Sequence, residues 1–244
     1  MIRILITILL TAIYSIGQDT RCGLILPDFN VVSEDEVCCV YVPKDGFTVY
    51  DSPNGQEIGT LLKLSDVEQD NQAPYKLYFY DSERKVQQIL ELSNFKEIGY
   101  EVWALTYFDR ADGFLRIIDD DHNYWLDEKE IFQKGFEIET WQNFLLENSG
   151  ELLGFYANEP GLYLRESPDT NAGIIAILTG DLFEIYPTTE NFGSWTKVTV
   201  KKYREHPCRS NYNNPEIIES ELNGWIKIVD DNGRPNVWYY PRGC

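Results

Sequence analysis

The octet Gly46-Phe-Thr-Val-Tyr-Asp-Ser-Pro53 returns later in the chain as Gly161-Leu-Tyr-Leu-Arg-Glu-Ser-Pro168. Further on, Gly113-Phe-Leu-Arg-Ile-Ile-Asp-Asp120 returns as Gly224-Trp-Ile-Lys-Ile-Val-Asp-Asp231. The offsets are 115 and 111 residues, so both matches keep their order and nearly their spacing. Such a pair predicts one domain type used twice, and repetition constrains a fold more than any local propensity does.

Local patterns point to strands. Leu77 to Tyr80, Val86 to Leu92, Glu101 to Phe108, Ile174 to Leu178, Leu182 to Tyr186 and Trp195 to Tyr203 are short and rich in β-branched and aromatic residues. Gly, Pro, Asn or Asp bound each of them. Trp195 to Tyr203 alternates as a strand with one wet face does. Arg110-Ala-Asp-Gly113 and Asp231-Asn-Gly233 are turn material that returns one strand onto the next. One short helix is expected at Thr140-Trp-Gln-Asn-Phe-Leu-Leu-Glu147, with Thr140 as its cap and Trp141, Phe144 and Leu145 on one face. It falls between the repeats and reads as part of a linker.

The first residues read as an export signal. A basic start ending at Arg3 precedes an apolar run, Ile4 to Ile13, too short to span a bilayer. Ser15 and Gly17 then supply the small residues of a cleavage site before Gln18. Cleavage removes residues 1–17 and leaves 227 residues, which suits two domains. Localisation is therefore expected beyond the inner membrane, in the periplasm or outside the cell. The chain carries 40 Asp and Glu against 21 Lys and Arg, a formal charge of −19. That balance argues against nucleic acid, whose binding depends on Lys and Arg displacing counterions, and against anionic membrane. No membrane insertion is expected of the mature chain.

Export permits disulfides. Cys208 and Cys244 stand alone in the second half and form the natural pair, while Cys22 is expected to pair with Cys38 or Cys39. One of the five cysteines is left over. Zinc is disfavoured because no second Cys or His cluster has ligand spacing.

Each repeat opens with a strand that runs into Ser-Pro, continues through a turn into a second strand, and ends with a Gly-aromatic strand. The stretches Leu162-Tyr-Leu-Arg-Glu-Ser-Pro168 and Gly224-Trp-Ile-Lys-Ile228 resemble motifs of the bacterial SH3-like (SH3b) domain family. In the first copy the matching stretches are Phe47-Thr-Val-Tyr-Asp-Ser-Pro53, Ile58-Gly-Thr-Leu61 and Gly113-Phe-Leu-Arg-Ile117. The resemblance implies an all-β fold of two SH3-like small barrels with elaborated loops, plus the connecting helix. Its boundaries are a signal peptide at 1–17, an N-terminal arm at 18–40, a first domain at 41–132 with an insert at 66–99, a linker at 133–151 and a second domain at 152–244. The second domain carries its own excursion, Arg204 to Glu221, and both additions are expected to enlarge equivalent loops. The resemblance further implies recognition of cell-wall peptide or of an envelope protein, with no cofactor.

Several constellations carry chemistry on paper. Asp119, Asp121, Asn123, Asp127 and Glu130 have the oxygen spacing of an EF-hand calcium loop. Tyr124 stands where that loop needs Gly, and the internal match places Asp119-Asp120 against Asp230-Asp231, so a hairpin turn is expected and no metal. His206-Pro-Cys208 is a poor thiolate dyad, since Cys208 is wanted for a disulfide. The aromatics Tyr203, Trp225, Trp238 and Tyr239, at strand ends near the second excursion, are the expected ligand-binding residues. The chain is expected to bind, not to catalyse. The alternatives are an envelope hydrolase with an unrecognised acidic site and a structural component of an envelope assembly.

Overall fold

The computed structural model describes residues 21–32, 39–40, 42–63, 76–91, 95–100, 102–118, 123–147, 154–209 and 215–240. The expected signal peptide lies outside them. In chain order the first strands are β1 (Gly23–Pro27), β2 (Cys39–Val40), β3 (Phe47–Tyr50), β4 (Glu57–Leu62), β5 (Leu77–Asp81) and β6 (Val86–Leu90). There follow β7 (Phe95–Gly99), β8 (Val102–Tyr107), β9 (Asp109–Ala111), β10 (Phe114–Arg116), β11 (Trp125–Asp127) and β12 (Phe136–Thr140). The second half holds β13 (Tyr156–Ala157), β14 (Leu162–Arg165), β15 (Ile174–Leu178), β16 (Phe183–Phe192), β17 (Trp195–Tyr203), β18 (Ile218–Lys227) and β19 (Val237–Trp238). Helices α1 (Glu128–Gln133) and α2 (Trp141–Glu147) flank β12. The all-β expectation holds. Among the described residues no helix is long and apolar enough to cross a membrane.

Two open sheets share one strand order. The first runs β6-β5-β4-β3-β11-β10-β9 and the second β15-β14-β18-β17-β16. Dropping the β5–β6 hairpin from the first leaves the same sequence of neighbours, with the opening strand between its hairpin mate and the last strand of a meander. The expected small barrels are not seen, because no sheet closes on itself among the described residues. The openings agree in detail. Gly46 and Gly161 both have positive φ, 77° and 111°, and each donates its N–H to the carbonyl three residues back, Pro43 and Asn158, at 2.8 Å. The register then slips at Val49/Tyr50 and at Leu164/Arg165, one slip for each copy of the octet.

The second sequence match does not occupy one place in the two sheets. Gly113 turns β9 into β10 with φ 80° and open space around it. Gly224 lies inside β18, where a Cβ would sit 2.7 Å from the Arg165 carbonyl oxygen. One glycine serves a turn and the other a close approach. By sheet position the counterpart of Trp225, which faces Arg165, is Trp125, which faces Tyr50. The two insertions also differ in place. The first follows β4, whereas the second, with short 3-10 turns at Pro207–Arg209 and Pro215–Ile217, joins β17 to β18.

A third sheet joins the halves and was not expected. Its path is β12-β1-β8-β2, with β7 also on β8. It gathers segments read as arm, insert and linker, so the N-terminal stretch is a central strand and not an arm. In β1, Ile25 belongs to the core of the first half with Phe47, Leu105 and Phe136. Its neighbour Leu24 belongs to the core of the second half with Trp141, Leu164 and Trp238. On β8, Leu105 and Tyr107 face the first core and Ala104 the second. Alternation on one strand therefore feeds two cores. Gly23 permits the crowding, since a Cβ there would lie 2.0 Å from the Glu139 carbonyl oxygen and against the Tyr107 ring.

The helices fix the ends of this wall. Thr140 Oγ1 accepts from the Asn143 N–H at 3.2 Å and caps α2, whose buried face is Trp141, Phe144 and Leu145, as the sequence indicated. Helix α1 was not anticipated. Asp127 caps it by accepting from the Lys129 N–H at 2.8 Å, and Glu130 ties it to β3 through the Thr48 N–H and Oγ1, each at 3.1 Å.

The expected bridge from Cys22 is not formed. Gly23 faces Tyr107 on β8, whereas Cys39 faces Val102. Five strand residues at ~3.3 Å each separate them by roughly 16 Å, beyond the ~7 Å that a disulfide spans. Cys38 lies outside the described residues. Cys22 is a buried thiol whose Sγ donates toward the carbonyls of Phe108 at 3.3 Å and Asn232 at 3.1 Å. Cys208 is disulfide-bonded, and Cys244 lies outside the described residues.

Leu24 and Ile25 are 0% and 1% exposed. Leu24→Ala and Ile25→Ala should each cost about 2–5 kcal/mol through lost transfer energy and a residual cavity. Guanidinium titrations read by tryptophan fluorescence and far-ultraviolet dichroism should show one shifted transition for either variant. Two separated transitions would contradict the shared wall.

Candidate functional site

The four aromatics expected to bind ligand do not form one surface. Tyr203 is buried, and its hydroxyl donates to Glu184 Oε2 at 2.6 Å. Trp238 and Tyr239 are 5% and 2% exposed. Their rings stack at 4.6 Å, and Trp141 meets Trp238 edge-on at 5.5 Å. The Tyr239 hydroxyl donates to the Ile98 carbonyl at 2.7 Å, and the Lys96 ammonium sits 4.3 Å from the Trp238 ring centre. These residues fasten the C-terminal segment to the third sheet, which is a core role. Trp225 alone stays half-buried, on β18 between Arg165 and Lys197.

A groove opens instead on the face of the third sheet that carries the second core. It encloses about 290 Å³. Leu26, Pro27, Phe29, Ile98 and Phe144 make an apolar floor, and Glu137, Glu139 and Glu147 stand on its rim. The strand pairing explains the arrangement. Leu26 faces Glu137 and Leu24 faces Glu139 across β1 and β12, so both carboxylates project on the face toward α2. Glu147 closes α2 beside them. Phe29 is 46% exposed, an apolar surface left open to water. Such a site suits a ligand with an apolar body and a positive group. The signal was present in Phe136-Glu-Ile-Glu-Thr140, which alternates as a strand does but was assigned to a linker.

A second polar cluster surrounds the end of β17. Glu184 accepts from both Tyr203 and Tyr186. His206 Nδ1 accepts the Cys208 N–H at 3.1 Å, which leaves the proton of the neutral ring on Nε2, 2.9 Å from the Tyr240 hydroxyl. Asp181 lies 3.6 Å from the same nitrogen. With Cys208 in a disulfide, no thiolate stands beside the imidazole, and the arrangement pins the 204–209 loop to the chain end. Burial first, then Asp181, Tyr156 and Glu184, push the Tyr240 phenol up to about 12. Burial also raises Tyr239 and Tyr107.

The calcium-type spacing falls only partly within the described residues. Asp119 and Asp121 lie outside the described residues, Asp127 caps α1, and Glu130 holds Thr48 while pairing with Lys134 at 3.1 Å. No group of three or more metal-ligating side chains occurs among the described residues. Comparison of the chain with protein-family models, curated proteins and solved structures finds no match.

The Tyr240 phenol gives a testable pH dependence. Its folded value, about 12, lies above the ordinary 10.0, so the unfolded chain loses this proton first. Stability should hold below about pH 10 and fall as pH rises toward about 12. Tyr240→Phe should lower stability at neutral pH by about 0.5–1.5 kcal/mol through the lost hydrogen bond. The variant should also show a shallower alkaline fall in melting temperature than the wild type.

Proposed function

We propose that the chain is an exported, non-catalytic binding protein that holds an amine-bearing cell-wall peptide in the groove between β1, β12 and α2. The observation that carries this reading is the pairing of an apolar floor, Leu26, Phe29 and Phe144, with the carboxylates of Glu137, Glu139 and Glu147. A wall stem peptide offers both complements, small methyl side chains and the free amine of a diamino acid. The export-type first residues and the disulfide at Cys208 support a location outside the cytoplasm. The resemblance to SH3-like domains supports the wall as the source of the ligand. The common strand order of the two sheets supports a duplicated unit that serves as scaffold on either side of the site.

Sedimentation with purified cell-wall material, and calorimetric titration with a soluble stem peptide, test the proposal. The wild type should be retained, and its affinity should fall with added salt because the ion pairs are partly exposed. Each rim pair is worth about 0.2–1 kcal/mol, so Glu137→Gln with Glu139→Gln should weaken binding by roughly twofold to thirtyfold. Acetylating the peptide amine should cause the same loss. Equal binding of the acetylated peptide, or no retention of the wild type, overturns the reading.

A further inference from the structure

We propose that Lys96 is a second anchor of the groove, donating to a ligand carboxylate, so that the site takes a short zwitterionic peptide with an amine at one end and a free carboxyl at the other. This rests on the groove being a peptide site, and it adds the second charge that the ligand must bring. The strand register sets the two anchors on one line. Leu26 faces Glu137 across β1 and β12, and Lys96 faces Ala104 across β7 and β8. Strands β1 and β8 pair up to Ile25↔Leu105, the step before Leu26 and Ala104. Residues paired across strands share a face, and Leu26 and Ala104 both lie against the second core. Glu137, Leu26, Ala104 and Lys96 therefore stand at one level on four neighbouring strands, a carboxylate at one end and an ammonium at the other.

In a chain with 40 acidic residues against 21 basic ones, lysines find carboxylates easily. Lys85, Lys134, Lys197, Lys202 and Lys227 each pair with one. Lys96 is half-buried, yet no carboxylate among the described residues pairs with it. Its ammonium rests on the Trp238 ring, 4.3 Å from the centre. An ammonium carries three N–H donors, and a ring face engages one side of it. Burial also lowers the Lys96 pKa below a lysine's ordinary value, a cost that a carboxylate beside it reverses.

The ammonium borders the groove without lining it. Ile98, which lines the groove, lies two residues along β7 from Lys96. Trp238, which carries the ammonium on its face, stacks at 6.4 Å on Phe144 of the groove floor. One ring separates the cation from that floor. Neighbouring strands lie about 4.8 Å apart, so roughly 14 Å separates the Glu137 and Lys96 backbones, and inward-leaning side chains shorten the gap. An extended peptide of about three residues covers it. Its amine meets Glu137, Glu139 and Glu147, its apolar middle covers Leu26 and Phe144, and its carboxyl end reaches Lys96. Polyamines and amidated peptides bring no carboxylate to that end and are the weaker ligands.

Calorimetric titration of the full chain with a lysine–alanine–alanine tripeptide, as the free acid and as the C-terminal amide, tests the inference. The wild type should bind the free acid at least about tenfold more tightly than the amide, the value of a hydrogen bond between charged groups. Lys96→Met keeps an apolar stem on Trp238 and should erase the preference, binding both forms as weakly as the wild type binds the amide. A purely structural role for Lys96 predicts the opposite pattern, in which the variant weakens both forms together and keeps the preference. That pattern overturns the inference. The wild-type comparison needs no substitution, so it stands even where the variant fails to fold. Equal wild-type binding of acid and amide, with binding lost when the amines are acetylated, overturns the role of Lys96 and leaves the groove as an amine site. Binding of neither form overturns both.

Discussion

Burial of β1 on both faces is the interaction on which the rest of the structure depends. A strand at a sheet surface feeds one core and shows water its other side. Here Ile25 enters one core and Leu24 the other, so five residues hold two sheets in place. Each fully buried aliphatic side chain contributes about 1.5–3 kcal/mol. Loss of the strand removes that from both halves at once, and it also leaves the facing edges of β8 and β12 unpaired. Tyr239, Trp238 and Trp141 then act as fasteners that bring the chain end back to the same wall.

The position of the groove follows from this arrangement. A strand shared between two cores must end, and it ends at Pro27, where the backbone leaves the sheet. The second core covers the middle of the wall but not its margin, so Leu26, Phe29 and Ile98 remain accessible beside α2. The pairing of β1 with β12 then sets two glutamates on that margin. A rigid sheet presents these groups without the ordering cost that a loop would incur on binding.

Much of the fold was legible where side-chain pattern and neighbour agree. Ile174–Leu178 and Trp195–Tyr203 were bounded to the residue, because β-branched runs were flanked by turn formers. Thr140 identified the start of α2, since a hydroxyl before an apolar helical face has one efficient use. The strand β1 was not legible as a central element. Gly23-Leu-Ile-Leu-Pro27 shows no polar alternation, which is what burial on both faces requires, and its partners lie far away in sequence. The matched glycines Gly113 and Gly224 misled for a related reason, because a turn and a backbone contact both demand the missing Cβ. An aromatic at a strand end reads alike whether it meets ligand or core. Trp238 and Tyr239 meet core.

Native-state hydrogen exchange in low guanidinium tests the shared wall most directly. Amides of β3 and β4 in one half and of β14 and β17 in the other should converge on one opening free energy, within about 1 kcal/mol, with β1 opening last alongside them. If the β14–β18 sheet opens several kcal/mol below the rest while β1 stays protected, the two halves are separate folding units and the account is wrong.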